Sequence, residues 1–163
     1  MTRVTTGGTG LEEGAYFGVP LQGGLFGVGL IARWSRKSGP IALGYFFGPP
    51  SEEIPTIEAA AKRRPEDAAL VCRFGVLGLR NGQWPLVGLS PGWIRSDWSF
   101  PLMSRIVPGL ASCAYECVYD DDRPDVMLSE TRVSLEAAEK LPTADLFGAG
   151  AVQSVLAARL SRQ

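Results

Sequence analysis

The densest group of side chains able to do chemistry is a run of carboxylates late in the chain. Asp120, Asp121, Asp122 and Asp125 follow one another closely, and Glu116 lies just before them. Carboxylate oxygens bind hard divalent cations, so a metal site is one interpretation. The spacing differs from that of an EF-hand loop, which alternates its ligands and has a glycine at its centre. The other interpretations are a solvated acidic loop and an acidic patch that faces a basic partner and speeds association.

Outside this acidic run, the sequence contains no recognisable catalytic motif. The chain contains no histidine, which removes that residue as a general base, a triad member or a metal ligand. Residues Gly88–Gly92 fit the G-x-S-x-G pattern of a hydrolase nucleophile elbow, but Pro91 follows the serine and has no N–H to stabilise an oxyanion. We therefore predict no catalytic residue and expect that the chain is not an enzyme.

Cysteines and glycines do not predict a metal or cofactor site either. Cys72, Cys113 and Cys117 are too few to complete a structural zinc site without histidine, and an odd count does not indicate a disulfide framework. The glycines of residues 7–10 and 24–29 lack the order and the following helix of a nucleotide-binding loop. We predict no metal and no cofactor.

Two tryptophans lie in the proline-bearing segment of residues 90–109. Trp93 and Trp98 are expected to pack into the core or over it. A tryptophan that stays exposed is a natural anchor for a protein partner, because Trp is enriched at binding hot spots. The two tryptophans join the five carboxylates as candidate partner-binding residues.

The elements that position these groups begin with a hairpin. Apolar runs at Ala15–Val19 and Leu25–Trp34 flank the residues Pro20–Gly24, which is typical of two antiparallel strands. Glycines inside both runs indicate close approach of neighbouring groups or a strongly bent sheet. Ile41–Phe47 is apolar on both faces, so it predicts a central strand that is covered on both sides.

Further strands are predicted downstream. Ala69–Leu79 and Trp84–Leu89 flank Asn81-Gly82, a strong hairpin signal. Residues 90–109 are predicted to be irregular, with their aromatic side chains closing an open end of the sheet. Ala114–Tyr119 is predicted to be one more short strand.

Helices are predicted at Thr56–Arg64, Ser134–Lys140 and Ala149–Leu160. The predicted fold class is therefore α+β, with a strongly curved antiparallel sheet (half-barrel or SH3-like) and a few short helices, mostly C-terminal. Residues 1–11 are expected to form a flexible leader, and residues 12–163 a single domain.

Composition limits the partners. Lys and Arg number 16 against 17 Asp and Glu in 163 residues, for a net charge of −1, whereas nucleic-acid binders are normally basic. No apolar run approaches the roughly 18 residues of a membrane span, and the first ten residues lack the apolar core of a signal peptide. We expect a cytoplasmic protein with neither nucleic acid nor membrane as a partner.

The hairpin contains the pattern Gly14-x-x-Phe17-x-Val19-Pro20-Leu21-x-x-Gly24-x-Phe26-Gly27-x-Gly29-x-Ile31. This pattern resembles the opening of the immunity protein 26 family. A second block of the family is similar to Gln83-Trp84-Pro85-Leu86-Val87-Gly88 and to the later Trp98-x-x-Pro101. The resemblance extends over about residues 12 to 108.

The resemblance implies a bacterial immunity protein of a polymorphic toxin system, of the kind used in contact-dependent inhibition. Such a protein binds its cognate toxin and blocks it without chemistry of its own. The family carries no catalytic residues to transfer, and its toxin contacts do not transfer by motif.

Three hypotheses follow. The first is a cytoplasmic antitoxin that occludes a toxin stoichiometrically, with the carboxylates as its contact if the toxin is basic. The second is a small β-rich module, unrelated to immunity, that binds a peptide or a cell-envelope fragment. The third is a metal-dependent enzyme built on the aspartates. The sequence does not indicate an oligomeric state.

Overall fold

The computed structural model describes residues 11–109 and 113–162. These ranges contain nine strands and four α-helices. The strands are β1 (Ala15–Pro20), β2 (Phe26–Arg33), β3 (Ile41–Ser51), β4 (Leu70–Gly75), β5 (Leu86–Leu89), β6 (Met103–Ile106), β7 (Ala114–Asp120), β8 (Arg123–Val133) and β9 (Leu146–Phe147). The helices are α1 (Ile57–Ala60), α2 (Leu77–Arg80), α3 (Leu135–Glu139) and α4 (Ala149–Leu160).

The strands form two sheets. The larger sheet has the order β5-β1-β2-β3-β4-β9, and the smaller one has the order β6-β7-β8. All pairs are antiparallel except β4 with β9. The α+β class is therefore confirmed. Neither sheet closes on itself within the described residues, and the half-barrel or SH3-like curvature stays a prediction.

The hairpin at the start of the sheet is confirmed. β1 and β2 pair antiparallel, with Tyr16 opposite Leu30 and Val19 opposite Gly27. Gly29 shows why a strand glycine is needed here, because a Cβ atom at this position would lie 2.3 Å from the ring of Phe17. Close packing of an aromatic ring against the neighbouring strand is thus one physical reason for the glycines.

Two cores lie on opposite faces of the larger sheet. The first core contains four aromatic side chains in mutual contact, and α4 covers it; its main members are Phe17, Val19, Ile31, Phe46, Leu70, Cys72, Phe74, Trp84, Val152, Leu156 and Leu160. The second core lies between the two sheets; its main members are Tyr16, Leu30, Leu43, Tyr45, Phe47, Trp98, Met103 and Cys117. Alternate residues of β3 enter opposite cores, which confirms the prediction of a strand covered on both faces.

The predicted hairpin around Asn81-Gly82 is wrong. β4 ends at Gly75, α2 follows, and β5 pairs with β1 rather than with β4. Asn81 accepts a hydrogen bond from the Gln83 backbone N–H at 2.9 Å, so the dipeptide does form a turn, but one that leads out of a helix. The turn delivers Trp84 into the first core, where it is 1% exposed. Burial of this large side chain outweighs the local hairpin preference.

The segment of residues 90–109 is only partly irregular. It contains the strand β6, which the sequence did not predict and which pairs with β7. Its aromatic side chains pack over a face of the larger sheet instead of closing one end. Trp98 contacts the β3 rings of Tyr45 and Phe47 edge-on, with centroids 5.0 and 6.0 Å apart.

The three predicted helices are present, whereas α2 was not predicted and replaces the end of the predicted strand Ala69–Leu79. Thr56 caps α1 by accepting from the Ala59 N–H at 3.2 Å, but the α-helix ends at Ala60 instead of Arg64. Ser134 caps α3, and α4 has its predicted bounds. No helix among the described residues is long and apolar enough to cross a membrane.

The predicted flexible leader falls mainly on residues 1–10, which lie outside the described residues. Leu11, the last residue of that range, is described, and its side chain is buried in the first core.

Candidate partner-binding surface

The segment after β5 contains Trp93, which packs against Gly14 just before β1. Gly14 has a φ of +90°, and a Cβ atom there would lie 2.8 Å from Cγ of Trp93. The Ser90 N–H donates to the Gly14 carbonyl at 2.8 Å, which ties the segment to the strand. Glycine is required at this position both for its backbone angle and for the close approach of the indole.

The two candidate tryptophans have different roles. Trp98 is 7% exposed and belongs to the second core. Trp93 is half-buried and stacks on Trp98, with centroids 6.0 Å apart. Only Trp93 therefore presents part of its surface to a partner.

Arg95 lies between these tryptophans and gathers carboxylates from distant parts of the chain. Its Nε donates to Glu13 Oε1 at 2.8 Å, and its Nη1 donates to Asp121 Oδ2 at 2.9 Å. Its Nη2 donates to Asp122 Oδ1 at 2.9 Å and to the Asp121 carbonyl at 2.7 Å. Arg95 thus joins the start of the larger sheet to the β7–β8 turn of the smaller sheet.

A second arginine, Arg33, also binds the β7–β8 turn. Arg33, at the end of β2, is 3% exposed and donates to Asp121 Oδ1 at 2.9 Å and to the Ala32 carbonyl at 2.7 Å. Partial burial raises the pKa of the Asp121 carboxyl, but the hydrogen bonds and charges of Arg33 and Arg95 lower that pKa by more. We refer to Glu13, Arg33, Arg95, Asp121 and Asp122 as the Arg95 cluster.

The Arg95 cluster changes the charge that the sequence suggested. Three carboxylates meet two guanidinium groups, so the cluster carries about one net negative charge instead of three. Asp122 still has 81% of its side chain exposed, and Asp121 has 57%. The surface therefore stays acidic, but its net negative charge is smaller than five unpaired carboxylates would give.

The other three predicted carboxylates lie outside the cluster. Asp120 accepts from the Asp122 backbone N–H at 2.8 Å and shapes the turn. Asp125 pairs with Arg123 at 2.6 Å, and this hydrogen bond lowers the pKa of its carboxyl. Glu116 lies four residues before Asp120 on β7, roughly 13 Å away, so the structure does not bring it into the cluster.

Sequence reasoning missed the residues that organise this surface. Glu13, Arg33 and Arg95 were not among the candidate residues. Arg33 pairs with the candidate Asp121, and Arg95 pairs with the candidates Asp121 and Asp122. Glu13 pairs with Arg95. Their partners are 26 to 88 positions away along the chain. No local spacing signals such contacts. The one available clue was an arginine set between two tryptophans.

Metal-ligand geometry is not found in the part of the chain that the structure describes. No three His, Cys, Asp or Glu side chains there converge as a metal site would require. The three cysteines are free thiols, and burial raises the pKa of Cys72 far above its ordinary range, which keeps that thiol protonated.

The comparison with known families identifies the chain. The model of the family described as Immunity protein 26 matches residues 12–109. The chain belongs to the Immunity protein 26 family. No curated protein and no solved structure matches it.

The family match covers only part of the candidate partner-binding surface. The Immunity protein 26 region extends from just before β1 to just after β6, and it includes Trp93, Arg95 and Trp98. Asp121 and Asp122 lie beyond it, on the β7–β8 turn. The Arg95 cluster therefore attaches a turn outside the matched region to an arginine inside it.

Proposed function

We propose that this member of the Immunity protein 26 family binds and neutralises a cognate bacterial toxin, as part of a polymorphic toxin system of the contact-dependent inhibition kind. The family match over residues 12–109 carries the proposal. The protein acts in the cytoplasm as a stoichiometric binder and does no chemistry. Neither a cofactor, a nucleic acid nor a membrane takes part.

The proposed contact surface is the exposed side of Trp93 together with the carboxylates of Asp120 and Asp122. Trp93 offers a fixed aromatic surface, since its ring is stacked on Trp98 and seated on Gly14. The carboxylates would pair with basic groups of the toxin and speed association at low salt. Inhibition follows from occlusion of the toxin's working surface.

The test is co-expression with the toxin domain encoded beside this gene. We expect restored growth of toxin-expressing cells and a 1:1 complex by size-exclusion chromatography with light scattering. Asp120→Asn/Asp122→Asn should slow association and flatten its dependence on salt, because charge steering acts mainly on the on-rate. Asp145→Asn, which removes an exposed carboxylate elsewhere, is the control.

Two results would count against the proposal in different ways. A toxin that neither binds nor is inhibited would favour the β-rich ligand-binding module instead. A complex whose association rate is unaffected by the double substitution would retain the immunity function and reject the acidic contact.

A further inference from the structure

A small cavity opens beside Trp93. Its volume is about 200 Å³, and Tyr16 of β1, Arg63 after α1 and Trp93 all contribute to its wall. Small-molecule sites usually occupy roughly 300–1,000 Å³. The cavity is therefore of a size for one side chain of a bound protein.

Arg63 places a positive charge in this wall, and the carboxylate of Asp67 acts on that charge without forming an ion pair with it. Its Nη1 donates to the Ala59 carbonyl at 3.1 Å and its Nη2 to the Gly48 carbonyl at 3.3 Å, so two neutral groups hold the guanidinium in place. Its Nε is buried without an acceptor, and no carboxylate of the described residues forms an ion pair with it. Burial lowers the pKa of Arg63, but an arginine stays protonated in a protein. A partly buried cation of this kind favours an anion beside it.

Tyr16 adds a hydrogen-bond donor. Its side chain is 1% exposed, and its ring packs in the second core. Among the described residues its hydroxyl makes no hydrogen bond, although it lies at the wall of the cavity. Burial raises the pKa of Tyr16 to about 12, so the hydroxyl keeps its proton and can donate. The hydroxyl is not among the buried atoms without a partner, so it is open to solvent, and a ligand oxygen would replace water as its partner.

The remaining wall suits the stem of an acidic side chain. The Trp93 ring supplies apolar surface to the wall. Asp97 is the one carboxylate among the described residues of the wall, and it is exposed and not paired with Arg63. Arg63 and Arg64 are the two cations of the wall against this one carboxylate, so the charges of the wall itself sum to about +1. Arg64 also pairs with Glu66 and Asp67, which lie outside the wall.

We propose that this cavity receives the carboxylate of an aspartate or glutamate side chain of the bound toxin. Arg63 and the Tyr16 hydroxyl donate to the carboxylate oxygens, and Trp93 packs against the aliphatic stem. This inference rests on the proposed immunity function. A positive cavity beside a surface of net negative charge would orient the toxin, because a reversed arrangement would bring like charges together.

The test measures affinity for a catalytically inactivated form of the neighbouring toxin domain by titration calorimetry. Tyr16→Phe removes only the hydroxyl, and Arg63→Gln removes the charge. Each variant should bind about 10-fold to 100-fold more weakly, the usual size of a lost hydrogen bond to a charged group. Arg80→Gln, at an exposed position in α2, is the control and should change affinity less than about twofold. Near-UV circular dichroism of each variant verifies folding.

A scan of the toxin completes the test. Replacing its surface aspartates and glutamates by alanine one at a time should find one whose loss is non-additive with Arg63→Gln. Weakened binding without any such acidic residue would overturn the carboxylate assignment.

Two further outcomes separate the proposals. If the unaltered chain binds the toxin and folded Tyr16→Phe and Arg63→Gln bind equally well, the cavity inference fails and the immunity function stands. If the unaltered chain forms no complex, the immunity function itself fails and takes the cavity inference with it.

Discussion

Single residues in this protein are constrained mainly by how closely a neighbour approaches. Gly29 faces the ring of Phe17, and Gly14 lies under the indole of Trp93. In both places the absence of a Cβ atom lets an aromatic side chain lie against the backbone. The first contact builds the core, whereas the second one positions a residue of the proposed binding surface.

Gly29→Ala should destabilise the protein by about 1–3 kcal/mol, because the new methyl group would lie 2.3 Å from the Phe17 ring and force the core to shift. Urea unfolding followed by tryptophan fluorescence measures the change. Gly150→Ala is the matched control. It lies in α4 with open space around it, and should stabilise the protein by up to about 1 kcal/mol. Equal effects of the two substitutions would contradict the steric explanation.

The burial of Arg33 shows how one residue alters the chemistry of another. The chain places this cation at the end of β2 with its charge directed to Asp121. As a result, an aspartate that looks like a free acidic group in the sequence is already paired in the folded protein. Local sequence alone could not separate Asp121 from Asp122, although one is paired with two arginines and the other with one.

At the scale of elements, the β7–β8 turn is held by the segment between β5 and β6. Arg95 forms one ion pair with Glu13, which precedes β1, and two with Asp121 and Asp122 of this turn. Arg33, at the end of β2, pairs with the same turn through Asp121. Attachment to Arg95 therefore keeps the turn and Trp93 in one surface.

Arg95→Ala should loosen the β7–β8 turn and lower the free energy of unfolding by about 1 kcal/mol, since single exposed pairs contribute up to about that amount. Hydrogen exchange should become faster at residues 120–123 and stay unchanged in β3. Arg64→Ala provides the comparison, because its ion pairs are longer, at 3.5 and 3.6 Å, and its side chain is 67% exposed. Unchanged exchange in the turn would show that Arg95 does not hold it.

At the scale of the whole molecule, the family-matched region depends on the rest of the chain. α4 closes the first core with Val152, Leu156 and Leu160, and β7 places Cys117 in the second core. Each core therefore contains side chains from both sides of residue 109. We therefore predict that the two sheets and the last helix unfold as one unit.

A chain that ends at Gly109 should not fold cooperatively. The removed leucines alone account for several kcal/mol, since each buried leucine is worth about 2–5 kcal/mol, while a domain of this kind has about 5–15 kcal/mol in total. Thermal unfolding followed by near-UV circular dichroism should show no transition. A sharp transition in the fragment would show that residues 12–109 are independent.

Within the full chain, Leu156→Ala and Leu128→Ala form the controlled pair for this argument. Leu156 is fully buried and Leu128 is 60% exposed. Leu156→Ala should lower the free energy of unfolding by about 2–5 kcal/mol, and Leu128→Ala should change it by less than about 0.5 kcal/mol.

Much of this protein follows from the sequence alone, because short-range rules decide it. The β1–β2 hairpin, the doubly covered β3, the caps of α1 and α3 and the bounds of α4 depend on spacing and on neighbours a few residues apart. The family was also recognisable, from glycines, prolines and aromatic residues in the same stretch.

Only the tertiary structure decided the pairing of β5 and the state of the carboxylates. β5 joins β1 because Trp84 must enter the first core, although Asn81-Gly82 favours a hairpin locally. Asp121 is paired because Arg33, 88 positions away, is brought beneath it by the sheet. Both outcomes depend on contacts between distant segments, and the free energy of such contacts is set by burial and charge in the folded chain rather than by any local pattern.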